Sequence, residues 1–182
     1  KSMTKVGDSI NASNASWSFA GNTALNFEDH VSKSVPFYKE GQDLICQISD
    51  FFLKNDSFCY ELGTSAGTLI NKLATYHEGK GTQFIGIDQV EEMIAYANTH
   101  YQVPNVQFVH DDALTHDYRD SDMFVAYYLL QFIHPSMRQE LVNIVYNKLR
   151  WGGAFICFEK VRAPDPRFHD LSTLLYTDYK LN

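Results

Sequence analysis

From residue 57 onward the chain alternates short apolar runs with amphipathic stretches, and this alternation constrains the fold more than any other feature. "SFCYEL" (57–62), "TQFIGID" (82–88), "NVQFVHDD" (105–112), "DMFVAYYLL" (122–130) and "GAFICFEK" (153–160) read as strands. "GTLINKLATYH" (67–77), "VEEMIAYANTHY" (90–101) and "PSMRQELVNIVYNKLR" (135–150) read as helices between them. Two carboxylates open the second helix, at the positive end of its dipole. Pro135 stands near the start of the third and Gly152-Gly153 past its end. The fourth strand is apolar throughout, as a strand covered on both faces must be. Strand following helix in this way predicts an α/β protein with a doubly wound, mostly parallel sheet and right-handed crossovers.

Ahead of the alternation, residues 1–16 are polar and read as a loose tail. Trp17 to Tyr38 mixes aromatics with charges, and Pro36 stops any helix before it. "EGQDLICQISDFFLK" places Leu44, Ile45, Ile48, Phe51 and Phe52 on one helical face. The expected organisation is a tail and helical lid over 1–53 and a ligand-binding domain over 54–182, within one domain overall.

Ligands of doubly wound sheets lie outside the carboxyl ends of the strands. The candidates are therefore 61–67, 88–89, 110–113 and 127–132. The first holds Gly63-Thr64-Ser65-Ala66-Gly67, which also spells G-x-S-x-G, the nucleophile elbow of serine hydrolases. An elbow serine follows several strands and is succeeded by an acid and then a histidine. Here Ser65 follows the first strand, and no acid-histidine pair stands at later strand ends. A dinucleotide fingerprint would need glycines at 63, 65 and 68, where the chain has Gly63, Ser65 and Thr68. The third pattern fits: Glu61 ends the first strand, Gly63 and Gly67 form the turn, and Asp88 ends the second strand at the spacing of a ribose-binding acid. Asp111-Asp112 ends the third. Acidic strand ends suit a ligand with an ammonium, ribose hydroxyls and an exocyclic amine, and no G-x-x-x-x-G-K-[ST] is present for a polyphosphate.

These stretches resemble the class I S-adenosylmethionine (SAM)-dependent methyltransferases, with a Rossmann-like fold. "SVPFY" (34–38), "YELGTSAGT" (60–68), "GIDQVEEMI" (86–94), "LLQFIHPSMRQELVNIVYNKL" (129–149) and "WGGAFICFEK" (151–160) resemble in particular the carboxy-S-adenosylmethionine synthase group and its methyltransferase relatives. The resemblance implies that Tyr38 reaches the cofactor from the lid and that Gly63, Thr64 and Ser65 line its methionine end. It places Asp88 on the ribose with Gln89 beside it, and Asp112 and Ala113 at the adenine. Met93 packs on that base, and Tyr127 lies near the sulfonium. Glu61 and Gly67 complete the cofactor set. The bound species would be SAM, S-adenosylhomocysteine or carboxy-S-adenosylmethionine. The implied activity is methyl transfer to a small or medium-sized acceptor. The alternative is synthesis of carboxy-S-adenosylmethionine from SAM and prephenate, serving tRNA wobble-uridine modification. Two departures stand out. The synthase group has Asn where Tyr127 stands, and its carboxylate-reading Arg would lie beyond Asn182. Two further strands would follow in a typical member, so the chain is expected to be incomplete at its C-terminal side.

The bulk numbers set partners. A net charge of -7 disfavours direct grip on a nucleic-acid backbone and suits a small-molecule substrate. Three widely spaced cysteines without C-x-x-C give no zinc pattern and fit a reducing, cytoplasmic setting. No apolar run is long enough for a membrane span. The bland readings are specific. Asp88 caps a helix, Tyr38 is a core aromatic, and His110 and His134 are structural. Glu159 touches an acceptor or pairs with Lys160 or Arg162. Trp17 and Phe19 form a lid or a homodimer surface. No catalytic residue is assigned, because transfer from a sulfonium needs positioning more than a covalent catalyst.

Overall fold

The structure is a computed structural model that describes residues 11–13, 16–18, 31–161 and 164–181. An antiparallel hairpin of β1 (Asn11–Ser13) and β2 (Ser16–Ser18) falls within and just after the stretch expected to be a loose tail. The side chain of Trp17, and all of Phe19, lie outside the described residues. After a helical turn at 31–34 come α1 (Tyr38–Ser49), β3 (Phe58–Leu62), α2 (Thr68–Tyr76), β4 (Gln83–Asp88), α3 (Glu91–His100) and β5 (Val106–His110). Then follow β6 (Ser121–Tyr127), a 3-10 turn (Leu130–Phe132), α4 (Pro135–Lys148), β7 (Leu149–Phe158) and α5 (Pro166–Leu181).

The main sheet has the order β5-β4-β3-β6-β7, and every neighbouring pair is parallel. Chain order reverses between β3 and β6, which is the switch point where doubly wound sheets bind ligands. Alternation along the strands divides the core in two. Cys59, Met123, Val125 and Tyr127 point to the face carrying α1, α2 and α3. Tyr60, Leu62 and Phe124 point to the face covered by α4, where Leu141 and Val145 are buried. β6 is an interior strand, paired on both sides, and its apolar run is almost wholly buried.

Four elements differ from the sequence expectation, the first two for reasons visible in the structure. α1 buries Tyr38, Gly41, Gln42, Ile45, Cys46 and Ser49, while Leu44 and Phe51 stay 47% and 77% exposed. The helix turns this stripe inward because Gly41 lies directly against the Tyr127 hydroxyl, where a Cβ would collide. β6 ends at Tyr127 rather than residue 130, because Tyr128 takes a left-handed φ of 59° and breaks the strand. β7 starts at Leu149, earlier than expected, and α5 had no counterpart in the sequence reading. The boundary expected at 53/54 falls in the turn between α1 and β3. Tyr38, Ile45 and Cys46 of α1 share one core cluster with β3, α2 and β6, so the segments on either side of it are packed together. Among the described residues no helix is long and apolar enough to cross a membrane.

Candidate cofactor site at the sheet switch point

The loop between β3 and α2 is built around Glu61. Its carboxylate is 3% exposed and accepts from Thr64 Oγ1 at 2.7 Å and from the Ile70 N–H at 3.1 Å. One acid thus ties the loop to the first turn of α2. Gly63 and Gly67 take φ of 69° and 83°, where glycine carries no Cβ penalty. Gly67 also lies against the Phe108 ring, 2.6 Å from where its Cβ would stand. Ser65 shares the left-handed region, with φ 54°. That bend turns its N–H toward the next strand, where it donates to Asp88 Oδ2 at 2.8 Å.

Asp88 ends β4 and holds two elements at once. Oδ2 receives the loop through Ser65, and Oδ1 receives the Val90 N–H, which opens α3, at 2.9 Å. Burial pushes its carboxyl above the usual range, and the Val90 and Ser65 N–H groups pull part of the way back. Each oxygen keeps a further lone pair, which a hydroxyl pair on a ligand can use. Gln89 is exposed, with its carbonyl beside His110 Nε2 at 3.1 Å. At the end of β5 the two acids divide their work. Asp111 pairs with His116 Nδ1 at 2.8 Å, a contact that holds its carboxyl below the usual range. Asp112 is exposed, with Oδ1 accepting the Leu114 N–H at 2.8 Å, and Ala113 is half-buried beside it. Met93 is 2% exposed on the inner face of α3.

Across the switch point the arrangement is different. Tyr127 donates its hydroxyl to the Tyr38 carbonyl at 2.5 Å, and both residues are 8% exposed. Their rings, 5.0 Å apart, pack with Tyr128 and Phe158. Leu129 reaches over Gly63, 2.8 Å from where a Cβ would stand. The carboxyl edge is therefore covered by aromatic and aliphatic groups. Two clefts, about 390 and 160 Å³, lie at the amino ends of the strands, beside Asp50 and Lys54 and beside Phe58 and Gln83.

The bland alternatives sort cleanly. Among the described residues Ser65 Oγ makes no hydrogen bond to a histidine, and the nucleophile reading has no base. Glu159 accepts from the Leu130 and Gln131 N–H groups at 2.6 and 3.3 Å, so it caps the 3-10 turn. His134 caps α4 through Nδ1. Among the described residues no group of three or more His, Cys, Asp or Glu is placed to hold a metal.

Residues 60–153, which span the glycine loop, both acidic strand ends and the α4 crossover, match the family described as Methyltransferase domain. The chain belongs to the methyltransferase domain family. Within that family it is 34% identical over 168 residues to a protein of Sulfurimonas denitrificans named carboxy-S-adenosyl-L-methionine synthase, covering 89% of this chain and 69% of the relative. It is 31% identical over 166 residues to a protein of the same name from Staphylococcus epidermidis, covering 91% and 72%. A solved structure described as a TehB-like SAM-dependent methyltransferase, from Corynebacterium glutamicum, superposes with a TM-score of 0.59 at 17% identity, covering 87% of this chain and 79% of that one. That likeness is one of fold. The five-stranded parallel sheet with flanking helices is what this chain shares with a Rossmann-like class I architecture.

Two features of this methyltransferase-family chain were not assigned a role from its sequence. Leu129 covers the glycine loop, which a period-two reading of "DMFVAYYLL" could not show once the strand breaks at Tyr128. Gln42 is buried on α1 with its amide nitrogen unpartnered among the described residues. Its one visible signal was a polar residue four positions after Tyr38.

Proposed function

We propose that this chain binds S-adenosyl-L-methionine at the switch point and transfers its methyl group to a small or medium-sized acceptor. The observation that carries the reading is Asp88. Its carboxylate stands at the end of β4, is fixed by N–H groups from two elements, and keeps acceptor capacity for a pair of hydroxyls. In this reading Asp88 takes the ribose, with Gln89 alongside. Gly63, Thr64, Ser65 and Gly67 approach the methionyl end, with Glu61 holding the loop. Asp112 and Ala113 flank the base, with Met93 behind it. Tyr38 and Tyr127 stand nearest the reacting centre. The sulfonium supplies an activated methyl group, and the protein's share is to position and desolvate. Residues 63–67 and 88–89 fit such a ligand as they stand. The Tyr38–Tyr127 pair must part or tilt to admit the methionyl end beneath Leu129. The test is mass spectrometry of the small molecules released from purified protein, followed by calorimetry with added SAM. Release or binding of SAM or S-adenosylhomocysteine supports the reading, and neither would end it.

A second reading is favoured by the names of the sequence relatives: carboxy-S-adenosylmethionine synthesis from SAM and prephenate. It predicts carboxy-S-adenosylmethionine among the released molecules and its formation when both substrates are supplied. Tyr127, in place of the group's Asn, weighs on the side of methyl transfer.

A further inference from the structure

Gln42 lies on the buried face of α1, one turn after Tyr38 and next to Gly41. It is 3% exposed, yet among the described residues its Nε2 has no hydrogen-bond partner. A desolvated donor left unpaired is disfavoured, and folded chains rarely tolerate one. Its neighbours locate it. Gly41 touches the Tyr127 hydroxyl and Phe158, at the carboxyl ends of β6 and β7. Asp43 pairs with Lys72 of α2 at 2.6 Å. Gln42 is roughly 100° of helix from each of these two positions. It therefore faces inward, between the side on which Gly41 meets Tyr127 and the side on which Asp43 meets Lys72. Ile45 and Cys46, the next inward positions, are core residues, so packing alone would favour an apolar side chain at 42 as well.

The surrounding chemistry narrows the partner. Glu61, Asp88, Asp111 and Asp112 are acceptors for hydroxyls and amines. Residues 63–67, 88–90, 111–113 and 127–132, which follow β3, β4, β5 and β6, contain no lysine or arginine, and Lys160 lies two residues past the end of β7. A ligand carboxylate seated among these four segments has only neutral donors to meet it. We propose that Gln42 Nε2 donates to the α-carboxylate of the methionyl group of bound SAM. This assignment rests on the SAM reading above, and it adds a residue that fixes the zwitterionic end of the cofactor.

The experiment is calorimetry of wild type, Gln42→Met and Gln42→Leu with two ligands, SAM and decarboxylated SAM. Two variants of comparable volume keep the test readable if one folds poorly. The expected result has three parts. Both variants melt at or above the wild-type temperature without ligand, because an orphan donor has been removed. Both bind SAM about tenfold more weakly, the range for a hydrogen bond to a charged group. Both bind decarboxylated SAM as wild type does. Unchanged SAM affinity overturns the proposal, and if turnover is slowed at the same time, the carboxylate belongs to the acceptor instead. Equal losses for the two ligands also overturn it. A wild type that binds neither compound removes the cofactor reading and this assignment together.

Discussion

Asp88 and His77 show how single side chains set opposite ends of this molecule. Asp88→Ala deprives the Ser65 and Val90 N–H groups of their acceptor. The expected loss is about 1 kcal/mol for each, seen as a lower urea midpoint. On the proposed reading it also weakens SAM binding by about 2 kcal/mol, roughly thirtyfold, measured by calorimetry. Undiminished affinity would remove Asp88 from the site. His77 is 1% exposed and receives Lys80 Nζ on Nδ1 at 2.8 Å. An ammonium can only donate, so the ring proton sits on Nε2, which donates to Ser49 Oγ at 2.6 Å. Ser49 passes its own hydrogen to the Cys46 carbonyl at 2.6 Å. Burial and then Lys80 hold His77 below its ordinary value of 6.5. Because the folded value is depressed, the unfolded chain takes up the proton first as pH falls. The contribution of His77 is whole above pH 6.5 and is lost as pH falls from there through the folded value. The slope is at most about 1.4 kcal/mol per pH unit. Urea midpoints of wild type minus His77→Gln should be flat above pH 6.5 and fall below it. Taking the difference cancels the carboxylates, among them Asp88 with its upward shift. A flat difference throughout would show that His77 does not titrate with folding.

At the scale of elements, the entry to α1 and the turn into α2 carry opposite backbone demands. Phe37 precedes α1 with φ 58° and is 77% exposed, a left-handed conformation that a side chain with a Cβ resists. Phe37→Gly should stabilise the fold by about 1 kcal/mol, read as a raised melting temperature, because strain is relieved and little packing is lost. A lowered temperature would show that the ring packs in a way its exposure does not suggest. Gly67 needs its φ of 83°, and its missing Cβ makes room for the Phe108 ring. Gly67→Ala should destabilise by about 2 kcal/mol or more, as strain and overpacking add. A change within about 0.5 kcal/mol, the range of ordinary surface substitutions, would contradict that packing.

At the scale of the whole molecule, β7 is one of the two edge strands of its sheet among the described residues. Trp151 on it is fully exposed, and Phe168, Leu171, Leu174 and Leu175 lie exposed on α5. Exposed apolar side chains such as these favour association between copies. Trp151→Lys should lower concentration-dependent light scattering while shifting the unfolding midpoint by less than about 0.5 kcal/mol. Scattering that persists unchanged would move the association surface elsewhere, α5 being the next apolar surface.

Periodicity and strand-end chemistry made the alternation from β3 to β7, the parallel sheet and the acids at 61, 88 and 111–112 legible from residues alone. Both signals are local: side-chain period follows from strand and helix geometry, and ligand-facing positions follow from where strands end. Which face of α1 turned inward was not local. It depended on Gly41 meeting Tyr127, 86 residues later in the chain. The break at Tyr128, the cover of Leu129 over Gly63, the Tyr127–Tyr38 hydrogen bond and the orphan amide of Gln42 have the same origin. The class of fold and the acids at its carboxyl edge follow from local pattern. How that edge is closed follows from contacts between residues distant in the chain, and no periodicity records those.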